Sequence, residues 1–209
     1  QDVKKLREMT NVGMMDCKAA LTATDGDMDK AVDWLREKGL AKAAKKADRI
    51  AAEGVAFATV VGGTGVIIEV NSETDFAAKT DAFLDLVKNL AVAVAEQNPA
   101  DVEALKACTY PGTNLTVTEI MQEKVMSIGE NMQIRRFDRF DSNVSVAYVH
   151  AGGSHGVLVN LAVEGDIDAT EVGKNVAMQI AAMNAKYWDK AQVPQAEVDK
   201  ELAVQVALM

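Results

Sequence analysis

The same succession of sequence patterns occurs twice in this chain. Each copy has two β-rich runs joined by a glycine-containing turn and followed by a helical pattern. The runs and the helical patterns of the two copies are, in order, 55–61, 65–70 and 74–95, then 144–150, 156–163 and 169–183. The turns are Gly62-Gly63-Thr64 in the first copy and residues 151–155 in the second. Short glycine loops between β-branched runs are typical of β-hairpins. We therefore predict two α+β subdomains built on antiparallel hairpins, and their origin by duplication is a hypothesis.

The first 48 residues have the pattern of three short helices. Apolar residues recur at helical spacing in the first, and residues 14–24 form the second. Asp27 is placed to cap the third helix, and Gly39 is placed to end it. A basic, alanine-rich stretch at 41–49 favours a helical linker over a core element.

Further elements are predicted between and after the two copies. Residues 117–127 should form a helix that ends at Gly129, residues 132–140 a strand, and residues 196–208 another helix. The predicted fold class is α+β, with three helices before the two sheet-containing subdomains. The predicted domains are 1–48, 49–140 and 141–209, and the last of these is expected to be incomplete.

The charge and the apolar pattern of the chain exclude several partners. The net charge is -9, whereas nucleic-acid binding needs a basic surface, so we predict no nucleic-acid ligand. No run approaches the about 20 apolar residues that span a bilayer, which predicts a cytoplasmic protein without membrane contact. Cys17 and Cys108 lie far apart without metal-ligand spacing, so free buried thiols are expected.

A search for catalytic chemistry finds little. His150 and His155 are the two histidines, and the motifs of metalloproteases, serine hydrolases and P-loop proteins are absent. Gly62-Gly63-Thr64-Gly65 precedes a strand, whereas a phosphate-binding loop follows a strand and opens a helix. The sequence predicts a regulatory binding protein with no metal or cofactor. An enzyme remains the alternative, because carboxylates distant in the chain can meet in the fold.

Three segments of the sequence resemble the elongation factor Ts family. They are Thr10-Asn11-Val12-Gly13-Met14-Met15-Asp16-Cys17-Lys18, Glu69-Val70-Asn71-Ser72-Glu73-Thr74-Asp75-Phe76-Ala77-Ala78-Lys79 and Ile128-Gly129-Glu130-Asn131-Met132-Gln133-Ile134-Arg135-Arg136. The resemblance implies an N-terminal ubiquitin-associated-like domain followed by two core subdomains. It also implies guanine nucleotide exchange on the GTPase elongation factor Tu, without bond chemistry.

The resemblance further implies which residues contact that GTPase. The Thr-Asp-Phe turn would insert near the magnesium and the nucleotide, and the other segments would add contacts. The implied contact residues are Thr74, Asp75, Phe76, Lys18, Ile128, Gly129 and His150.

Each of these residues also has a local structural interpretation. Thr74 could be a helix N-cap, Asp75 a charge at the helix dipole and Phe76 a core residue. Met14 and Met15 could likewise be core residues beside a solvated Lys18. Gly129 fits a helix C-cap that follows Ile128, and His150 fits an ordinary surface or core histidine.

The chain departs from the family pattern at its C-terminus. Family members usually continue with a protruding helical hairpin, so we expect a C-terminally truncated chain, with homodimerisation only where that region is present. The alternative within the binding class is a module for ubiquitin-like or other peptide ligands without exchange activity.

Overall fold

The computed structural model describes residues 1–10, 12–141 and 144–208. The α-helices are α1 Asp2–Thr10, α2 Met14–Ala23, α3 Met28–Lys46, α4 Asp75–Ala78, α5 Asp81–Gln97, α6 Val102–Ala107, α7 Val117–Ile128, α8 Thr170–Met183 and α9 Gln195–Ala207. The strands are β1 Glu53–Val61, β2 Thr64–Ser72, β3 Met132–Phe140, β4 Val144–His150 and β5 His155–Leu161. Short 3-10 turns cover Ala151–Gly153 and Lys190–Gln192. Helices and antiparallel sheets in one chain confirm the predicted α+β class.

The first three helices pack around a small buried cluster of their own. Its buried members are Leu6, Val12, Cys17, Ala20, Leu21, Ala31 and Leu35. The backbone N–H of Lys30 donates to Asp27 Oδ1 at 3.1 Å, which confirms Asp27 as the N-cap of α3.

The prediction that Gly39 ends the third helix is wrong, because α3 continues to Lys46. Gly39 is buried, and a Cβ added to it would lie 3.0 Å from Met126 Sδ on α7. The glycine therefore allows close approach of two helices instead of reversing the chain. Ala43, on the following turn, packs against the main core, so this part of the predicted linker belongs to a packed helix.

Strands β1, β2 and β3 form one antiparallel sheet in that order. Val61 pairs with Thr64 across Gly62 and Gly63, whose φ values of 56° and 91° require the left-handed conformation that glycine adopts without strain. Helix α5 packs against β1 and β2 and buries the apolar face of the sheet. The largest fully buried residues of this core are Phe83, Ile68, Leu86, Leu90 and Leu105.

The predicted helix at 74–95 is two helices in the structure, α4 and α5. The backbone N–H of Phe83 donates to Thr80 Oγ1 at 3.3 Å, so Thr80 is the N-cap of a new helix. The Thr80 hydroxyl also donates to the Ala77 carbonyl at 2.8 Å. A threonine side chain that forms hydrogen bonds with nearby backbone groups competes with a continuous helix. Thr80 therefore separates α4 from α5.

Strands β4 and β5 form the second predicted hairpin, which packs against β1 and β2 and carries α8 on its other side. The β5 strand ends at Leu161, two residues before its predicted end. Two glycines allow this hairpin to pack closely against its neighbours. A Cβ on Gly156 would lie 3.0 Å from the Ala56 carbonyl oxygen, and one on Gly173 would lie 2.5 Å from Val146 Cγ2.

Other predictions have mixed outcomes. Helix α7 ends at Gly129 with φ 90° as expected, and β3 has its predicted bounds. Cys17 is buried and free, whereas Cys108 is free but only partly buried, because it lies at the end of α6, a helix for which we made no prediction. The proposed division into domains at 48/49 and 140/141 stays a prediction.

Candidate functional site

The turn that follows β2 presents an aromatic ring to solvent. Thr74 is extended (φ -127°, ψ 154°) and caps the four-residue helix α4, since the Ala77 N–H donates to Thr74 Oγ1 at 3.2 Å. Phe76, the second residue of α4, is 82% exposed. The interpretation of Thr74 as an N-cap is therefore confirmed, and that of Phe76 as a core residue is wrong.

A corner between α7 and β3 holds this turn. Gly129 adopts φ 90° and places Glu130 beside Thr74. The Thr74 N–H donates to Glu130 Oε2 at 3.0 Å, and the Thr74 hydroxyl donates to Glu130 Oε1 at 2.6 Å. The Asn131 N–H donates to Glu73 Oε1 at 2.6 Å. The second and third resembling segments thus meet in space, and Ile128 is half-buried against the main core.

The C-terminal end of α3 reaches the same corner. The Lys46 ammonium donates to the Gly129 carbonyl, and the Asn131 side-chain amide donates to the Arg49 carbonyl at 2.8 Å. Arg49 also forms an ion pair with Glu73, with 3.5 Å between Nη1 and Oε2. Two chain segments distant in sequence, the end of α3 and the corner after α7, therefore hold one exposed turn.

Asp75 lies beside Phe76 and is paired with Lys79 one helical turn later. Lys79 Nζ donates to Asp75 Oδ2 at 2.6 Å, and both side chains remain substantially exposed. This hydrogen bond lowers the pKa of Asp75 below its usual range and raises the pKa of Lys79. Asp75 thus presents a negative charge at neutral pH.

Replacement of this lysine should change the titration of the aspartate. We expect Lys79→Met to raise the pKa of Asp75 toward its ordinary value, because the ammonium donor is lost. In the unchanged chain, the stabilisation from the pair is present above the unfolded-state pKa of the aspartate and is lost as pH falls through its lowered folded-state value. Carbon-13 NMR of the Asp75 carboxyl group measures both titrations. Lys88→Met, which breaks a similar pair with Asp85, is the control, and an equal change at Asp75 there would contradict the assignment.

His150 ends β4, and its hairpin tip lies at the same end of the molecule as the Thr74 turn. A Cβ on Gly153 would lie 2.7 Å from Val55 Cβ, and Val55 pairs with Val70 near the end of β2. The exposed His150 ring forms a hydrogen bond with the Tyr148 hydroxyl, whose oxygen lies 2.8 Å from Nδ1. The alternative of a core histidine is therefore wrong.

Lys18 is an exposed residue of α2, a helix whose buried residues belong to the cluster of the first three helices. Its neighbours Met14 and Met15 are 55% and 76% exposed, so their interpretation as core residues is wrong. Exposed methionines are adaptable contact residues at protein surfaces. This surface and the Thr74 turn lie in different parts of the fold.

The described residues also bear on metal binding and on membrane spans. Within 1–10, 12–141 and 144–208, no three His, Cys, Asp or Glu side chains are placed to hold a metal ion. None of the helices in these ranges combines the length and the apolar character that crossing a membrane requires. The Thr74 turn combines a braced backbone, an exposed aromatic ring and a neighbouring carboxylate, and exposed aromatic residues are common anchors of protein–protein contacts.

Comparison with protein-family models gives the family. Residues 73–209, more than half of the chain, match the model described as Elongation factor TS. The chain belongs to the elongation factor Ts family. This is a family of nucleotide exchange factors of translation elongation, and membership implies interaction with elongation factor Tu.

Sequence reasoning gave no role to several residues that build this site. Glu73, Glu130 and Asn131 lie inside the resembling segments, but the sequence predicts no individual role for them. Their contacts follow from the strand register only once β2 is known to pair with β3: Ser72 pairs with Met132, so continuation of the antiparallel count places residue 74 opposite residue 130. Lys79 follows Asp75 at i,i+4 spacing, which is a local signal for their ion pair, whereas Arg49 carries no such signal.

Proposed function

We propose that this chain is a guanine nucleotide exchange factor that binds elongation factor Tu with GDP and promotes GDP release. In this proposal the Thr74-Asp75-Phe76 turn inserts near the magnesium and nucleotide site of the GTPase. The observation that carries it is the 82% exposure of Phe76 on a turn that the rest of the fold holds in place. A translation factor of this kind would act in the cytoplasm.

The two side chains at the tip of the turn would have different tasks. The ring of Phe76 would fill an apolar groove of the partner, where a buried aromatic residue supplies much of the binding free energy. The negative charge of Asp75 would rearrange the polar groups that support magnesium and the diphosphate. Neither residue needs to touch GDP, and this chain would need no cofactor of its own.

Thermodynamic linkage relates the binding of this chain to the binding of nucleotide on the GTPase. If this chain binds the nucleotide-free GTPase more tightly than the GDP-bound form, it must weaken GDP binding by the same factor. Incoming GDP or GTP must in turn weaken the complex, which releases the factor.

Other parts of the surface would add contacts to the same partner. Lys18 would contact the GTPase from α2, Ile128 and Gly129 from the corner after α7, and His150 from the second hairpin. The tip that follows His150 lies at the same end of the sheet as the Thr74 turn. That placement supports one continuous contact region for those two segments, with Lys18 on a second one.

Release of fluorescent GDP from elongation factor Tu in stopped flow tests the proposal. We expect the unchanged chain to accelerate release in proportion to its concentration until saturation. Asp75→Ala should reduce the acceleration about tenfold, by loss of a charge that acts in a water-excluded site. Asp85→Ala, which removes an exposed carboxylate on α5, should leave it unchanged. No acceleration by the unchanged chain would contradict the proposal, and binding that does not depend on nucleotide would favour a peptide-binding module.

A further inference from the structure

Hydrogen bonding between the β2 and β3 segments continues beyond the last residue pair of the sheet, through the side chains of two glutamates. Ser72 pairs with Met132, and the next positions in the antiparallel count are 73 with 131 and 74 with 130. At the first, Glu73 Oε1 accepts from the Asn131 N–H at 2.6 Å. At the second, Glu130 Oε2 accepts from the Thr74 N–H at 3.0 Å. Side chains here accept the bonds that backbone carbonyls accept within a sheet.

Of these contacts, the Glu130 carboxylate holds Thr74 most directly. It accepts from both the N–H and the hydroxyl of Thr74, with the hydroxyl at 2.6 Å. The same hydroxyl oxygen accepts from the Ala77 N–H and so begins α4. A four-residue helix has too few internal hydrogen bonds to be stable alone, so its orientation depends on such external contacts.

We infer that Glu130 is a positioning residue for nucleotide exchange: it holds the Thr74 turn so that Phe76 is presented in its binding orientation before the partner arrives. The inference rests on the proposed function. Ordering a flexible turn on binding costs conformational entropy, and a turn ordered in advance avoids that cost. Glu130 acts through Phe76, so its effect depends on the presence of the ring.

A double-mutant cycle tests this dependence, with the dissociation constant for nucleotide-free elongation factor Tu as the readout. We expect Glu130→Ala to weaken binding about tenfold in the otherwise unchanged chain and less than about twofold in a Phe76→Ala background, because coupled residues are not additive. Glu130→Gln should lie between, since its amide oxygen can still accept from the Thr74 N–H. Glu103→Ala, which removes an exposed carboxylate paired with Lys106, should change neither background. Equal losses in both backgrounds would overturn the inference.

Amide hydrogen exchange tests the brace without the partner. The Ala77 N–H, which donates to Thr74 Oγ1, should exchange about tenfold faster in Glu130→Ala, as expected for loss of a local restraint, and at the unchanged rate in Glu103→Ala. An unchanged Ala77 rate in Glu130→Ala would contradict the inference while leaving the proposed function intact. If the unchanged chain fails to accelerate GDP release, the proposed function fails, and with it the role of Glu130 in exchange.

Discussion

Replacement of Phe76 by alanine is expected to reduce the acceleration of GDP release about a hundredfold, because a buried aromatic anchor can contribute about 3 kcal/mol to an interface and each ~1.4 kcal/mol is a factor of ten. Folding stability should not change, since the side chain is 82% exposed in the free protein. Stopped-flow release of fluorescent GDP measures the first quantity, and urea denaturation followed by circular dichroism measures the second.

Phe140→Ala is the matched control for this experiment. Phe140 pairs with Gly65, which lies at one end of β2, whereas the Thr74 turn follows Ser72 at the other end. The distance from Gly65 to Ser72 along the strand is about 23 Å. Its removal should leave the exchange rate unchanged at equal concentrations of folded protein. If Phe76→Ala retains full acceleration, or if Phe140→Ala loses as much, the inserted ring cannot be the source of exchange.

The second large effect is expected at Gly54 in β1. Gly54 has φ 145°, and a Cβ added to it would lie 2.2 Å from the Val70 carbonyl oxygen and 2.7 Å from Asn71 Cα. These atoms are backbone of the paired strand, so they cannot move without opening the β1–β2 ladder. We expect Gly54→Ala to lower the free energy of unfolding by at least about 3 kcal/mol, through backbone strain and loss of strand pairing. Urea denaturation followed by far-ultraviolet circular dichroism measures the loss.

Gly112→Ala separates backbone conformation from steric clash. Gly112 has φ 75° in the loop before α7, and an added Cβ there meets nothing within 4 Å. It should cost only about 1 kcal/mol, the usual penalty for a left-handed non-glycine residue. A Gly54→Ala loss no greater than that of Gly112→Ala would show that the two strands tolerate the added atom.

Local signals in the sequence predicted much of the fold, and tertiary contacts explain where they failed. Asp27, Thr74 and Gly129 have the expected capping roles, because caps depend on neighbours within a few residues. Gly39 has the sequence signal of a C-cap, but it lies inside a helix that packs against Met126. That contact is with a residue distant in the sequence, so local patterns do not reveal it. Thr80 could have been recognised as a cap within the predicted helix, because an acidic residue follows it.

The sequence pointed to the Thr74-Asp75-Phe76 turn, but it could not give the geometry of that turn, and its site residues stay a prediction. The sequence Thr74-Asp75-Phe76 is equally compatible with a buried ring and an exposed one. Its exposure depends on where the corner at Gly129 and the end of α3 direct the chain, through contacts with Glu130 and Asn131. Such contacts cannot be inferred before the pairing of β2 with β3 is known.

The continuous α3 helix also sets the geometry of partner recognition. Its 19 residues span about 28 Å, and its C-terminal half packs on α7 and reaches Gly129. The two proposed contact regions, at Lys18 and at Phe76, are thus joined by a stiff spacer. A protein that used both regions would bind as a bivalent ligand of fixed span, in which the first contact raises the effective concentration of the second. Partners whose two binding sites are spaced differently would gain only one contact, so under the proposed function the length of α3 itself would contribute to selectivity.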